Sequence, residues 1–466
     1  MPRSYPLRSM RLDPIAACLA ALLGLGNAPD AVANPSGGIV VTSCQDSGTG
    51  SLRAAVAMAG DGDAIDLTQL SCSQITLTTG RIDTTHNLLL QGPGSGQLTI
   101  DGNGNDRIFN QNANAVLAIY GLTLQNGYDS FGGGCIYSAG PVLLNDAVIT
   151  GCRLVGIAGT SIYKGGAIFA NSQLVATSSR IVDNEIYAAL GGAIGGGVVV
   201  TGDLFLMNST ISGNRASTVA QSGIAKSGGA DVGGILTMQY STIADNTAYS
   251  LYGGGVGGGA LVIGPATVLN STISGNTAAA VGGLRIYGQN TTSASVIVDS
   301  TISDNVATAS VGGIYSRGPL TIANTTIAFN SEANSLGGGI RLQYGVADVQ
   351  SSIIAANTSG AAPANIGLGI GGGVSGSNNL IGDSGSVSLP PDTIQSDPRL
   401  LPLANNGGPT QTHALRPDSP AIEAGNNSQN LANDQRGPPF PRVLGLAADI
   451  GAVEFDSDVI FGDGFD

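Results

Sequence analysis

Tryptophan is absent from this chain, charged residues make up only 11% of it, and its 466 residues include just two lysines and two histidines. Each scarcity excludes something. Disorder requires high charge and low hydrophobicity, whereas 42% of these residues are hydrophobic. Glycine is abundant (72 residues) but shows no Gly-X-Y period, which excludes collagen. With 18 basic residues against 32 acidic ones, nucleic acid and anionic membrane surfaces are poor partners. Beyond the first residues no apolar run is long enough for a transmembrane helix, and no series of amphipathic strands reads as an outer-membrane barrel. Many short strands joined by glycine turns fit the composition.

The N-terminus has the form of a secretory signal at residues 1–33. Arg3, Arg8 and Arg11 supply the positive charge, Ile15 to Leu25 an apolar stretch too short to span a bilayer, and Ala31-Val32-Ala33 a small-x-small cleavage site. Ile15-Ala-Ala-Cys18 resembles a lipoprotein box, but the apolar stretch lies mostly after Cys18, so lipidation is set aside. Cleavage after Ala33 leaves 15 basic and 30 acidic residues, a net charge of −15, on an exported chain. It also removes Cys18. The remaining Cys44, Cys72, Cys135 and Cys152 form an even set that allows three disulfide pairings. The local pairing, Cys44–Cys72 and Cys135–Cys152, is the expectation, because each bond closes a short segment. Cysteine-ligated zinc is disfavoured, since no Cys-x-x-Cys occurs.

The main signal is a repeat. Ser179-Arg-Ile-Val-Asp-Asn184 is followed by Ser209-Thr-Ile-Ser-Gly-Asn214, Ser241-Thr-Ile-Ala-Asp-Asn246, Ser271-Thr-Ile-Ser-Gly-Asn276, Ser300-Thr-Ile-Ser-Asp-Asn305, Thr325-Thr-Ile-Ala-Phe-Asn330 and Ser352-Ile-Ile-Ala-Ala-Asn357. An earlier copy, Ala147 to Cys152, has cysteine in the asparagine place. Successive asparagines are 30, 32, 30, 29, 25 and 27 residues apart. Each copy is preceded by a glycine pair or triplet and a short apolar strand, as in Gly165-Gly-Ala-Ile-Phe169 and Gly312-Gly-Ile-Tyr315. These pieces leave no room for helices, and a propeller blade is longer. The expectation is an all-β, right-handed parallel β-helix solenoid with a short N-terminal helical cap and an irregular C-terminal cap. Isoleucines 149, 181, 211, 243, 273, 302, 327 and 354 should stack inward about 4.8 Å apart. Asn184, Asn214, Asn246, Asn276, Asn305, Asn330 and Asn357 should form a hydrogen-bonded ladder in a turn, with asparagine tolerating left-handed backbone there.

Solenoid ends need covering. Ser51 can N-cap a short helix with Leu52, Ala55, Val56 and Ala59 on one face. After about Gly385 the repeat stops and prolines crowd in, and the alternating Ala448 to Phe455 reads as a final strand. The resulting organisation is a signal (1–33), an N-terminal cap (34–74), β-helix coils (75–385), a C-terminal cap region (386–455) and an acidic tail (456–466).

Gly50-Ser-Leu-Arg-Ala-Ala55 resembles the Cys-Ser-Leu-Arg-Glu-Ala element of exported bacterial right-handed β-helix proteins, with glycine for the cysteine and Ala54 for the glutamate. Asp397-Pro-Arg-Leu-Leu-Pro-Leu, Asn406-Gly-Gly-Pro-Thr-Gln-Thr-His413, Asp418-Ser-Pro-Ala-Ile422, Asp434-Gln-Arg-Gly437 and Asp449-Ile-Gly-Ala-Val-Glu454 resemble the choice-of-anchor Q-type C-terminal region of the same proteins. The resemblance implies a secreted or cell-surface protein of a Gram-negative bacterium and specifies no activity.

No catalytic set is apparent. His413 lies in a cap motif and His86 is isolated, so both read as structural. Polygalacturonase-like segments (Asn-Thr-Asp, Gly-His-Gly, Arg-Ile-Lys) are missing, and a lyase-like site lacks clustered aspartates and a matching base. Asp183, Asp245 and Asp304 recur in alternate coils about 9.6 Å apart, inside the window of an inverting carboxylate pair, yet interchangeable Asp-Asn and Gly-Asn turns explain them better. Asp101-Gly-Asn-Gly-Asn-Asp106 departs from a calcium loop. The sequence therefore calls for no catalytic residue, metal or cofactor. Binding candidates lie on the strands after the glycines: Tyr137, Phe169, Arg285, Tyr287, Tyr315, Arg317 and Arg341 should point outward and line up, offering rings and guanidinium groups to a polysaccharide or cell-surface glycan. The favoured reading is adhesion or polysaccharide binding without catalysis. The alternatives are a polysaccharide lyase- or hydrolase-like enzyme and a purely structural envelope protein. The tail, Asp456 to Asp466, resembles acidic Asp-Gly-Phe endings of exported proteins and reads as either a sorting signal or a frayed terminus.

Overall fold

The computed structural model describes residues 38–157, 161–288, 294–333, 337–360 and 362–456. The signal-like segment (1–33) and tail residues 457–466 lie outside them. The described chain winds as a parallel β-helix. One coil shows the pattern: Val142–Asn145 lies in sheet 1, Val148–Thr150 in sheet 2, Arg153–Gly156 in sheet 3 and Ile168–Ala170 in sheet 4. The four sheets have 13, 12, 10 and 11 strands. A three-stranded sheet, Ile162–Lys164, Gly192–Ile194 and Ala225–Lys226, is inserted between sheets 3 and 4 over the middle coils. Named strands pair in parallel, except Thr358–Ser359 with Ala362–Pro363. Among the described residues no helix is long and apolar enough to cross a membrane.

The six-residue signature is one strand of sheet 2 with a corner at each end. In the copy that ends at Asn214, Asn208 (φ 48°) and Gly213 (φ 66°) both adopt left-handed backbone. The residue after each, Ser209 or Asn214, turns inward and is buried. The left-handed residue is thus the one before the ladder asparagine, not the asparagine itself. This accounts for Asp183, Gly213, Asp245, Gly275 and Asp304 at that position, since glycine and aspartate pay least for positive φ. Neighbouring side chains also compete for space: a Cβ at Gly213 would come within 2.3 Å of Asp183 Oδ1.

The asparagines form a buried ladder. Asn276 Nδ2 donates to Ile243 O and to Asn305 Oδ1, both at 2.9 Å, while its Oδ1 accepts from Asn246 N and Nδ2 at 3.0 and 2.9 Å. The ladder runs from Cys152 N, which donates to Asn184 Oδ1, up to Asn365, whose amide donates to Asp383 O. A second ladder at the other corner was not read from the sequence. There Ser179 N donates to Ser209 Oγ, Ser209 N to Ser241 Oγ and Ser241 N to Ser271 Oγ, at 3.0 to 3.1 Å. Both ladders satisfy corner N–H groups that the sheets cannot reach. Between them the isoleucines stack in register, with Ile243 on Ile273 and Ile273 on Ile302, all fully buried.

The glycine pairs make room for the asparagines. A Cβ at Gly259 would lie 2.7 Å from Gly283 O and 3.0 Å from Asn276 Nδ2. Cys135 and Cys152 occupy the glycine and asparagine columns of the coil below the first ladder asparagine, and there a disulfide joins them. Cys44 and Cys72 form the second bond, near the N-terminal cap. Mass spectrometry of non-reduced peptides should recover these two links; a Cys44–Cys135 peptide would refute the pairing.

The helix Leu52–Met58 is N-capped by Ser51, whose hydroxyl accepts from Ala54 N, and it buries Leu52, Ala55 and Val56. At the other end Val387 and Leu389 pack on the last core layer. The chain then folds back along the outside of sheet 2. Thr272 donates to Gln411 O, Thr301 to Gln435 Oε1, and Thr326 accepts from Ala452 N. The outward threonines of the repeat, exposed to an intermediate degree at Thr210 and Thr242, are buried at Thr272, Thr301 and Thr326 by this strap. Residues 448–455 are not the final strand that their alternation implies. Ile450 N donates to Ala421 O, Gly451 N to Ser351 O and Glu454 N to the Asp434 carboxylate, so scattered partners rather than one neighbouring strand hold the segment.

Candidate functional site

Sheet 4 presents one outward side chain per coil at a shared register position. From Asp83 the column runs through Asn110, Tyr137, Phe169, Val199, Asp231, Leu261, Arg285 and Tyr315 to Arg341. Five of the seven binding candidates thus share a column, and Tyr287 and Arg317 lie two residues beyond Arg285 and Tyr315. The column is not one continuous stripe. Three coils, presenting Val199, Asp231 and Leu261, separate Phe169 from Arg285, and both Val199 and Leu261 are buried.

Two clusters result. In the first, the Tyr137 and Phe169 rings meet edge-on at 5.6 Å, with the Arg107 guanidinium 5.3 Å from the Tyr137 centroid and Lys164 Nζ 5.4 Å from that of Phe169. Arg107 is committed to the fold: it pairs with Asp129 at 2.8 Å and donates to Gly133 O. In the second cluster, Arg285 lies 4.7 Å from the Tyr287 centroid and 5.1 Å from that of Tyr315, and Arg317 lies 5.7 Å from Tyr287. The guanidinium groups lie over the rings at cation–π distance, where an arginine can also bond carboxylate or sulfate through its N–H groups.

The gap between the clusters holds residues that the sequence reading missed. Asp231 accepts from Ser227 Oγ at 2.9 Å and lies 3.9 Å from Lys226 Nζ. Burial raises its pKa, against the opposing pull of Lys226, Ser227 and Lys164. Both lysines of the chain therefore reach this face from the inserted sheet. A trace of this was present in the sequence: each lysine directly or nearly precedes a glycine pair, and Asp231 stands where Phe169 stands in its own coil. The length of the inserted sheet, which decides where the lysines reach, was not legible.

The other candidates lie elsewhere. Asp183, Asp245 and Asp304 sit at the corner between sheets 2 and 3 and do not converge with this face. His413 is buried in the strap, with Nε2 2.7 Å from Ser303 Oγ, Nδ1 2.7 Å from Leu401 O and the Phe329 ring alongside. His86 is exposed. Asp101 is occupied by Gln74, Gln125 and Asn126 side chains. Among the described residues no group of histidine, cysteine and acidic side chains could hold a metal ion.

No protein-family model matches the sequence, and no curated protein matches it. Among solved structures, the crystal structure of pectate lyase Pel9A is similar to this chain at 15% sequence identity and a TM-score of 0.42, with 87% of this chain and 91% of that one covered.

Proposed function

We propose that the outer face of sheet 4 binds an acidic polysaccharide without cleaving it, on a protein exported to the surface or surroundings of a Gram-negative cell. The observation that carries the reading is the second cluster, where the Arg285 guanidinium lies over the Tyr287 and Tyr315 rings and that of Arg317 over Tyr287. On a chain of net charge −14 these cations are locally concentrated, and rings between them supply faces on which sugars lie. Two disulfides fit an oxidising compartment. The triple variant Tyr287→Ala, Tyr315→Ala, Arg317→Ala, checked for intact folding, should elute early from an acidic-polysaccharide column on which the parent is retained. Equal retention would remove this face from consideration.

The Lys226–Asp231 pair favours a second reading, in which this face transfers protons during polysaccharide cleavage. Release of new reducing or unsaturated ends from a bound acidic polysaccharide would establish that reading. Retention without product supports binding alone.

A further inference from the structure

Four cations of this face recur on alternate coils. Lys164 enters with the coil of Ile168, Lys226 with that of Ala230, Arg285 with that of Leu284, and Arg341 with that of Ile340. In the order of sheet 4, one coil lies between each pair of these. Lys164 and Lys226 are likewise joined in register through Ile194. The intervening coils present Val199, Leu261 and Tyr315 at the column. Two coils correspond to about 9.6 Å along the axis. Two residues modify the pattern: Asp231 offsets part of the charge of Lys226, and Arg317 adds a cation beside the intervening coil of Tyr315.

We infer that this face reads charge spacing, and that its ligand is a linear glycan lying along the solenoid axis with one carboxylate or sulfate on every second sugar. The inference rests on the polysaccharide-binding reading above. An extended pyranose residue is about as long as one coil spacing of about 4.8 Å. Alternate sugars then meet alternate coils: an acidic sugar faces a cation, and the neutral sugar between them lies on Tyr315 or passes over a coil whose column residue, Leu261 or Val199, is apolar and buried. A glycan charged on the same side of every residue would place half of its anions against rings and aliphatic groups, without a partner.

The test uses the full chain and a hyaluronan decasaccharide, which carries one carboxylate per disaccharide, at low ionic strength. The double variant Arg285→Tyr, Tyr315→Arg keeps composition and net charge but moves one cation by one coil. It should bind about tenfold more weakly than the parent, as should Lys164→Gln. Arg180→Gln, an equal charge change at an exposed site on sheet 2, should bind like the parent. If the exchanged variant binds as tightly as the parent, spacing is not read, although the binding face itself stands. If the parent binds no acidic glycan, both readings fall. Should the exchanged variant fail to fold, the comparison of Lys164→Gln with Arg180→Gln decides: equal losses in both mean that only overall charge matters.

Discussion

Replacing Asn276 with alanine should destabilise the protein by about 3–6 kcal/mol, at least as much as the about 2–5 kcal/mol expected for Ile273→Ala. The isoleucine loses van der Waals contact and leaves a cavity. The asparagine loss is of a different kind, because its amide takes part in four buried hydrogen bonds. Alanine leaves Asn246 N–H and one of its amide hydrogens facing an empty column, and takes one donor each from Ile243 O and Asn305 Oδ1, although the backbone N–H of residue 276 still donates to the latter. Water cannot easily refill the gap, since the Gly259 and Gly283 backbones close it on the other side. Leucine adds a clash, because the column is tight enough that even a Cβ on Gly259 meets the amide. Urea denaturation of both variants reads the comparison through the midpoint shift at constant slope. A smaller shift for Asn276→Ala than for Ile273→Ala would show that the corner re-solvates.

The same residues show what sequence reading reaches. The isoleucine column and the asparagine column are legible because one residue type recurs at nearly fixed intervals, and stacking gives that recurrence a cause. The disulfides are legible in part, since Cys152 visibly stands in the asparagine position. The serine ladder stands in six of the seven copies of the signature, with Thr325 in the other, yet it is not legible there, because serine before a strand is equally at home on a surface. The left-handed residue was misplaced by one position: asparagine tolerates that conformation, but the buried ladder has a stronger claim on it. The strap was illegible for a deeper reason. Its contacts join Gln435 to Thr272 and Thr301, and Arg442 to Asp299, across more than a hundred residues and without any period. On the outer face of sheet 4, strand alternation sorted inside from outside correctly for Tyr137, Phe169 and Tyr315. It could not say that Val199 and Leu261 would be buried between the two clusters.

The strap should also make stability fall as pH rises from about 4 to about 8. Arg442 is fully buried where the strap meets sheet 2. It donates to Glu454, to Asp299 at 3.3 Å and to the backbone oxygens of Gly451 and Asp449. Two carboxyls thus share one guanidinium. Burial pushes Asp299 up to about 8 and Glu454 up to about 7, with the attraction of Arg442 opposing the rise in each case. Glu454 has the closer contact and also accepts from Asp449 N, so it is the natural carboxylate of the pair, and Asp299 holds the proton. In the unfolded chain both carboxyls lose their protons near pH 4. Between there and pH 8 the folded state therefore binds more protons than the unfolded state, and the slope of stability against pH is negative. Asp299→Asn keeps the shape and removes the proton that must be lost; its profile should be flatter, and at pH 9 it should be at least as stable as the parent. Arg442→Met has the opposite effect, leaving ionised carboxyls without a cation, and should cost about 3–5 kcal/mol at pH 9 and less at pH 5. Thermal unfolding of the three proteins at pH 5, 7 and 9 measures both signs. An Asp299→Asn variant that loses stability in parallel with the parent across this range would show that Asp299 is ionised at neutral pH and that the strap is held by a plain ion pair.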